Sequence, residues 1–258
     1  DQAARLADAM KDIRIIGSYL SPYVRKVLAC LHLKGLGYEI DPIVPFFGDD
    51  RFTAVSPLRR VPVLIDDRVT LADSSVICQY LEDRYPSPPL YPAEIGERAR
   101  ARWLEEYADS RIGDVFIWGL FDRAVIAPAV WGTPRDRQAI ERVKREEIPP
   151  ILDYLESQLP SEGFLWQTPG VADIAIAVFF RNAAFARYQV DPLRWPAVAG
   201  FVDRVLALPC LAQLQHFESV MLRTAIPGQR AALLAAGAPV SAETLGTAIP
   251  RPGTLRSR

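Results

Sequence analysis

The chain has 258 residues, 50% hydrophobic and 24% charged, the balance of a soluble globular protein with apolar material for one or two domains. Its 30 Lys and Arg against 31 Asp and Glu leave a net charge of -1, with no basic excess to neutralise phosphates, which argues against nucleic acid as a partner. Cys30, Cys78 and Cys210 are widely spaced with no CxxC, and His32 and His216 lie far from any cysteine pair, so neither a disulfide framework nor a zinc site is expected and a reducing, cytoplasmic compartment fits.

Residues 13–16 (IRII) predict a short strand closed by Gly17. Ser21-Pro22 then predicts a helix start, because Ser at the N-cap accepts an orphan backbone N–H and Pro at the first position needs no donor. Val24, Val27, Leu28 and Leu31 form one apolar stripe, and Gly35 and Gly37 stop the helix. Residues 38–44 predict a second strand, followed by an irregular stretch, FFGDDRFTAVSPLRR. VPVLI (61–65), a polar turn at Asp66-Asp67-Arg68, and VTL predict a hairpin. Asp73 and its serines cap the helix of VICQYLEDRY. The order βαβ then ββα implies a small α/β domain over 13–86, whose first two strands, being parallel, need the crossover helix.

Four prolines in PSPPLYP mark a linker at 87–94. Helical segments are predicted beyond it at 96–118, 120–130, 134–159 (Thr133-Pro134 repeating the cap-then-proline start), 171–187 and 196–224 with a break near Pro209. They make an all-helical domain over 95–225. The tail, 226–258, is rich in Ala, Pro, Gly and Thr. A short helix near 229–236 is expected in it, with the rest extended or disordered and of unknown role. The longest apolar run, Ile174–Phe180, is too short to span a bilayer.

Pro62 cannot donate to a β-ladder. Either the strand begins at Val63, or the Val61–Pro62 bond is cis and the Val61 backbone turns outward to pair with a ligand's peptide groups. SPYVRKV, SPLRRVPVL and ADSSVICQYLEDRYP, in that order and ahead of a helical domain, resemble the glutathione S-transferase family over about residues 13–224. The resemblance implies a thioredoxin-like N-terminal domain, an all-α C-terminal domain, a homodimer, and glutathione as co-substrate with no metal. It is similar in its Ser-Pro-aromatic motif to the tau class, where that serine is catalytic; this puts Ser21 in the role of stabilising the glutathione thiolate, with Ser18 and Tyr19 as rivals. Relatives with cysteine there exchange disulfides, which Ser21 does not support.

By the same resemblance Asp73 and Ser74 hold the γ-glutamyl end of glutathione, Val61 ahead of Pro62 pairs with its cysteinyl backbone, and Arg60 aligns with a cation on its carboxylate side. Phe47 stands where relatives often carry Lys or Arg. Gly170 stands where the family's core helix usually has Ser or Thr, three residues before Asp173, a structural position. A hydrophobic second substrate is expected against some of Trp103, Tyr107, Phe116, Trp118, Phe121 and Trp131, Tyr107, Phe116, Trp118 and Phe121 foremost, with Arg111 and Arg123 near an anionic group. The implied activity is conjugation of glutathione to a hydrophobic electrophile, a detoxification chemistry. Glutathione-dependent ether cleavage or isomerisation, and a non-catalytic binding or interaction protein of the same fold, are the alternatives.

Overall fold

The computed structural model describes residues 13–253. Two compact units emerge among them, one formed by residues 13–88 together with 213–253, the other by Pro89–Ala212.

The first unit is built on a four-stranded sheet. Its strands are β1 (Arg14–Ile16), β2 (Glu39–Asp41), β3 (Val63–Ile65) and β4 (Thr70–Leu71), in the order β2-β1-β3-β4. β1 pairs parallel with β2 and antiparallel with β3, and β3 pairs antiparallel with β4. Helix α1 (Pro22–Leu33) makes the crossover between the parallel strands, and α3 (Ser74–Arg84) follows the hairpin. The expected stripe of α1 is buried, and so are Arg25 and Lys26 between its members. α1 and α3 meet at Cys30 and Cys78, whose sulfurs lie 3.6 Å apart, and at Lys26, whose Nζ donates to Ser75 Oγ at 3.2 Å. This is the α/β half of the expected fold.

The stretch 46–60, expected to be irregular, is entered through a short 3-10 turn (Pro45–Phe47) and contains a helix, α2 (Asp50–Val55). Asp49 caps α2 by accepting from Phe52 N at 3.1 Å. Phe52 alone of its residues is fully buried, packed with Ile16 and Val63, so no apolar stripe announced the helix.

The second unit is helical, with no strand among its described residues. α4 (Ile95–Tyr107) continues without a break through stretches of wider, π-type bonding at Ala108–Ile112 and Asp114–Ile126 into α5 (Ala127–Trp131). The expected interruption near residue 119 is absent. α6 (Arg137–Arg142) starts later than Thr133-Pro134 suggested, because Asp136 is the cap, accepting from Ala139 N at 2.9 Å. Thr133 instead follows Gly132, which ends α5 in the left-handed conformation. α7 (Ile148–Gln158), α8 (Val171–Phe185), α9 (Pro196–Leu206) and the short α10 (Pro209–Ala212) complete the unit. α8 is buried along most of its length and is its central helix.

From Gln213 the chain returns to the first unit. α11 (Gln215–Arg223) and α12 (Gln229–Ala235) precede a tail whose described residues, 236–253, are extended, one of the two readings expected of it. Its Val240 bridges Ile40 on the free edge of β2: Ile40 N donates to Pro239 O at 2.8 Å and Ser241 N to Ile40 O at 2.9 Å. Further on, Leu245 packs on the Ile16–Phe52–Val63 core, and Thr247 N donates to Phe47 O at 2.7 Å. The tail therefore covers a sheet edge that would otherwise present unpaired backbone groups.

Candidate functional site

The site is assembled where β1 ends. Gly17, at φ 146°, opens the turn that leads to Ser21. A Cβ there would stand 2.5 Å from Val24 Cγ2 and 2.9 Å from Val61 Cβ, so only glycine lets the start of α1 and the strand entry at Val61 approach this closely.

Ser21 is the N-cap of α1. Its backbone is extended, and its Oγ accepts from Val24 N at 3.3 Å. That bond uses a lone pair and leaves the hydroxyl proton free to donate elsewhere. Ser21 is also half-exposed, whereas the two rivals are not. Ser18 is buried, its hydroxyl donating to Met221 Sδ at 3.6 Å and accepting from Leu20 N at 3.1 Å. Tyr19 is 0% exposed and packs on Phe217 with ring centroids 5.0 Å apart. Burial, and then the neighbouring Tyr38, push the Tyr19 phenol far above its ordinary value. Its hydroxyl finds no hydrogen bond of ordinary geometry among the described residues.

The Val61–Pro62 peptide is cis, and β3 begins at Val63, so the two sequence readings of Pro62 hold together. Among the described residues, no hydrogen bond engages the Val61 N–H or C=O. Asp73 is the exposed N-cap of α3, its Oδ1 accepting from Ser75 N and Val76 N at 3.0 Å each. Ser74, buried at the first position of α3, has a hydroxyl that bonds to no described residue. Because α1 and α3 pack side by side, the fold carries Ser21 and the Asp73-Ser74 pair on neighbouring helix N-termini.

Arg60 is half-buried, and its backbone N–H and C=O are both tied to Ser56 Oγ, at 2.9 and 2.8 Å. Sequence reasoning overlooked its neighbour. Arg59 is buried at φ 51°, donates to Gly48 O at 2.9 Å and Thr53 Oγ1 at 2.5 Å, and lies over the Phe52 ring at 5.5 Å. It staples the 45–60 loop and is a structural cation, so of this pair Arg60 keeps the candidacy.

Residues 15–89 match the family model described as the glutathione S-transferase N-terminal domain. The chain is 30% identical over 168 residues to an uncharacterized GST-like protein, YibF, of Escherichia coli (strain K12), covering 64% of this chain and 79% of that one. The chain belongs to the glutathione S-transferase family. Among solved structures, a glutathione S-transferase from Rhodospirillum rubrum F11 aligns with TM-score 0.70 at 26% identity, over 78% of this chain and 91% of that one. A glutathione S-transferase from Methylobacterium radiotolerans, solved in complex with glutathione sulfonate, aligns with TM-score 0.65 at 28% identity, over 79% and 93%.

In this transferase-family chain the expected second-substrate aromatics divide. Phe116 and Phe121 are withdrawn into the helical core, Phe116 edge-on to Phe180 at 5.0 Å and Phe121 against Phe185 at 6.2 Å. Both are buried, as aromatics at core spacing usually are. Tyr107 and Trp118 keep partial exposure. Tyr107 belongs to an aromatic group with Tyr154, 4.6 Å away, and Trp103, whose Nε1 donates to Tyr154 Oη at 3.0 Å. Arg111 is exposed and Arg123 half-exposed. Among the described residues no cluster of His, Cys, Asp and Glu is arranged to hold a metal ion, and no single helix is long and apolar enough to cross a membrane.

Proposed function

We propose that this glutathione S-transferase family member conjugates glutathione to a hydrophobic electrophile, with Ser21 stabilising the thiolate. The observation that carries the reading is the Ser21 hydroxyl: it is partly exposed at a helix N-terminus, with its proton uncommitted, while Ser18 and Tyr19 are buried. A free thiol of pKa about 8.5 is only a few per cent thiolate at neutral pH. Donation from Ser21 and the positive end of α1 both favour the anion. The thiol proton leaves to solvent, the sulfur lone pair forms the new C–S bond, and the electrophile either expels its leaving group or takes up the electron pair. Holding the two reactants together provides much of the remaining acceleration.

The same reading puts the γ-glutamyl carboxylate at the Ser74 end of α3 and the γ-glutamyl ammonium on Asp73. The unpaired N–H and C=O of Val61 suit the cysteinyl backbone, and Arg60 a carboxylate. With Phe47 in place of a cation, this chain lacks one charged contact that relatives often have, and its affinity rests on the remaining groups.

The test is a glutathione titration followed by thiolate ultraviolet absorbance in the native protein and in Ser21→Ala. The bound thiol should ionise about two pH units below its free value in the native protein, and Ser21→Ala should bind yet return most of that shift. Equal ionisation in both would remove Ser21 from the chemistry. No binding by either would favour a non-catalytic interaction protein. Ser21→Gly, which keeps the cap to within a few tenths of a kcal/mol, should behave like Ser21→Ala and so separates chemistry from helix stability.

A two-fold homodimer belongs to this reading. Light scattering is expected to give twice the mass of one chain, and a single-chain mass at micromolar concentration would overturn it.

A further inference from the structure

The turn that presents Ser21 is gripped by α11, a helix about two hundred residues away in sequence. Within the turn, Ser21 N donates to Ser18 O at 3.0 Å and Leu20 N to Ser18 Oγ at 3.1 Å. From outside, one face of α11 supplies Phe217, Glu218 and Met221. Phe217 packs on the Tyr19 ring, and Met221 Sδ accepts from Ser18 Oγ. Glu218 Oε1 lies 3.6 Å from Arg25 Nε, and Arg25 Nη1 donates to Tyr19 O at 3.0 Å, two residues ahead of Ser21. Arg25 is 0% exposed and Glu218 2%.

A buried ion pair is a poor stabiliser, because removing two charges from water offsets most of their attraction. Its value lies in direction. A guanidinium has a rigid, planar set of donors, so fixing one edge against Glu218 fixes the donor aimed at Tyr19 O. We propose that Glu218, acting through Arg25, is a positioning residue for the Ser21 hydroxyl. The inference rests on the reading of Ser21 above. A hydrogen bond weakens steeply with misalignment, and a displacement of about 1 Å in a reacting group can cost a hundredfold in rate. Releasing the Tyr19 carbonyl lets the turn drift and spreads the Ser21 donor over several directions.

The sign of the effect separates positioning from plain electrostatics. Among the described residues, the elements that frame the turn carry Arg25 and Lys26 on α1, Glu218 on α11 and Asp73 at the start of α3. Neutralising Glu218 takes away a negative charge and, through the field alone, would make a nearby thiol easier to ionise. Loss of positioning does the opposite.

The experiment is the thiolate titration of glutathione in the full chain, on the native protein, Ser21→Ala, Glu218→Gln and the double variant Arg25→Met/Glu218→Leu. The double variant replaces the pair by apolar groups, so neither charge of the pair is left buried without the other and net charge is unchanged. Both Glu218 variants are expected to raise the ionisation midpoint by about one unit, a tenfold loss in ionisation constant. Their affinity for glutathione below the midpoint should stay within about twofold. If Glu218→Gln does not fold, as read by circular dichroism, the double variant decides. A midpoint unchanged or lowered in the folded variants, while Ser21→Ala raises it, overturns the positioning role and leaves Ser21 standing. A midpoint that Ser21→Ala also fails to move overturns both.

Discussion

Asp41→Ala is expected to cost about 3 kcal/mol of folding stability and to release the tail from the sheet edge. Asp41 ends β2 and is 1% exposed. Its carboxylate accepts from Arg230 Nη1 at 3.0 Å, Thr244 Oγ1 at 2.8 Å and Leu245 N at 2.7 Å. Arg230 in turn bonds the carbonyl of Ser241, so a single carboxylate joins α12, the bridging segment and the turn that inserts Leu245 into the core. The loss is placed at the low end for a broken ion pair because Arg230 is one-third exposed and water can replace part of what Asp41 provides. Urea unfolding measures the loss. Hydrogen exchange locates it: the amides of Ser241, Leu245 and Thr247 should exchange far faster, while those of α8 should not. A change below 1 kcal/mol with unaltered tail protection would mean that the tail is held by its backbone bridges alone.

Asp173→Ala should be comparably damaging in the helical unit, at about 3 kcal/mol. Asp173 is fully buried in the first turn of α8, accepting from Gly170 N and Leu165 N at 2.9 Å each. Alanine leaves both N–H groups unpaired in a site with little water, at about 1–3 kcal/mol for each such group. Gly170 cannot take over as a capping side chain. A Cβ on it would stand 2.5 Å from Leu90 O, which accepts from Val171 N at 3.0 Å, so the close approach of that carbonyl accounts for glycine where the family usually has Ser or Thr.

Burial holds the Asp173 carboxyl above its ordinary value of 3.8, against the pull of its two donors. An acid whose pKa is raised in the folded state binds its proton more readily there than in the unfolded chain. Its contribution to stability therefore falls as pH rises from 3.8 through the raised value, and is constant above it. The stability gap between the native protein and Asp173→Asn should be widest at the acid end and narrow as pH rises. A gap independent of pH would mean that Asp173 titrates alike folded and unfolded.

Much of the first unit was legible because its signals are local. Ser21-Pro22, the stripe at Val24, Val27, Leu28 and Leu31, and the Asp73 cap each lie within one element. The positions of Ser21 and the Asp73-Ser74 pair at helix N-termini were legible for the same reason, since caps are local features. α2 escaped notice because it buries one side chain, Phe52. Arg59 escaped because nothing in SPLRR distinguishes a stapling arginine from its neighbour; its φ of 51° and its carbonyl partners at residues 45 and 48 are properties of the folded loop. The burial of Phe116 and Phe121 was not legible because a helix of mixed apolar content does not say which aromatic faces the core.

What the sequence determined by itself is the order of the sheet strands and of the helices with an apolar stripe, the caps at Ser21 and Asp73, and the family to which three short motifs point. Each depends on residues within a few positions of one another, where backbone geometry turns spacing into contact. Only the tertiary structure decided that α11 grips the Ser21 turn and that Thr244 and Leu245 close on Asp41. Those partners lie about two hundred residues apart. No periodicity connects them, and they meet because packing the apolar faces of α1, α11 and the sheet edge buries their polar groups together, where a hydrogen-bond partner is needed.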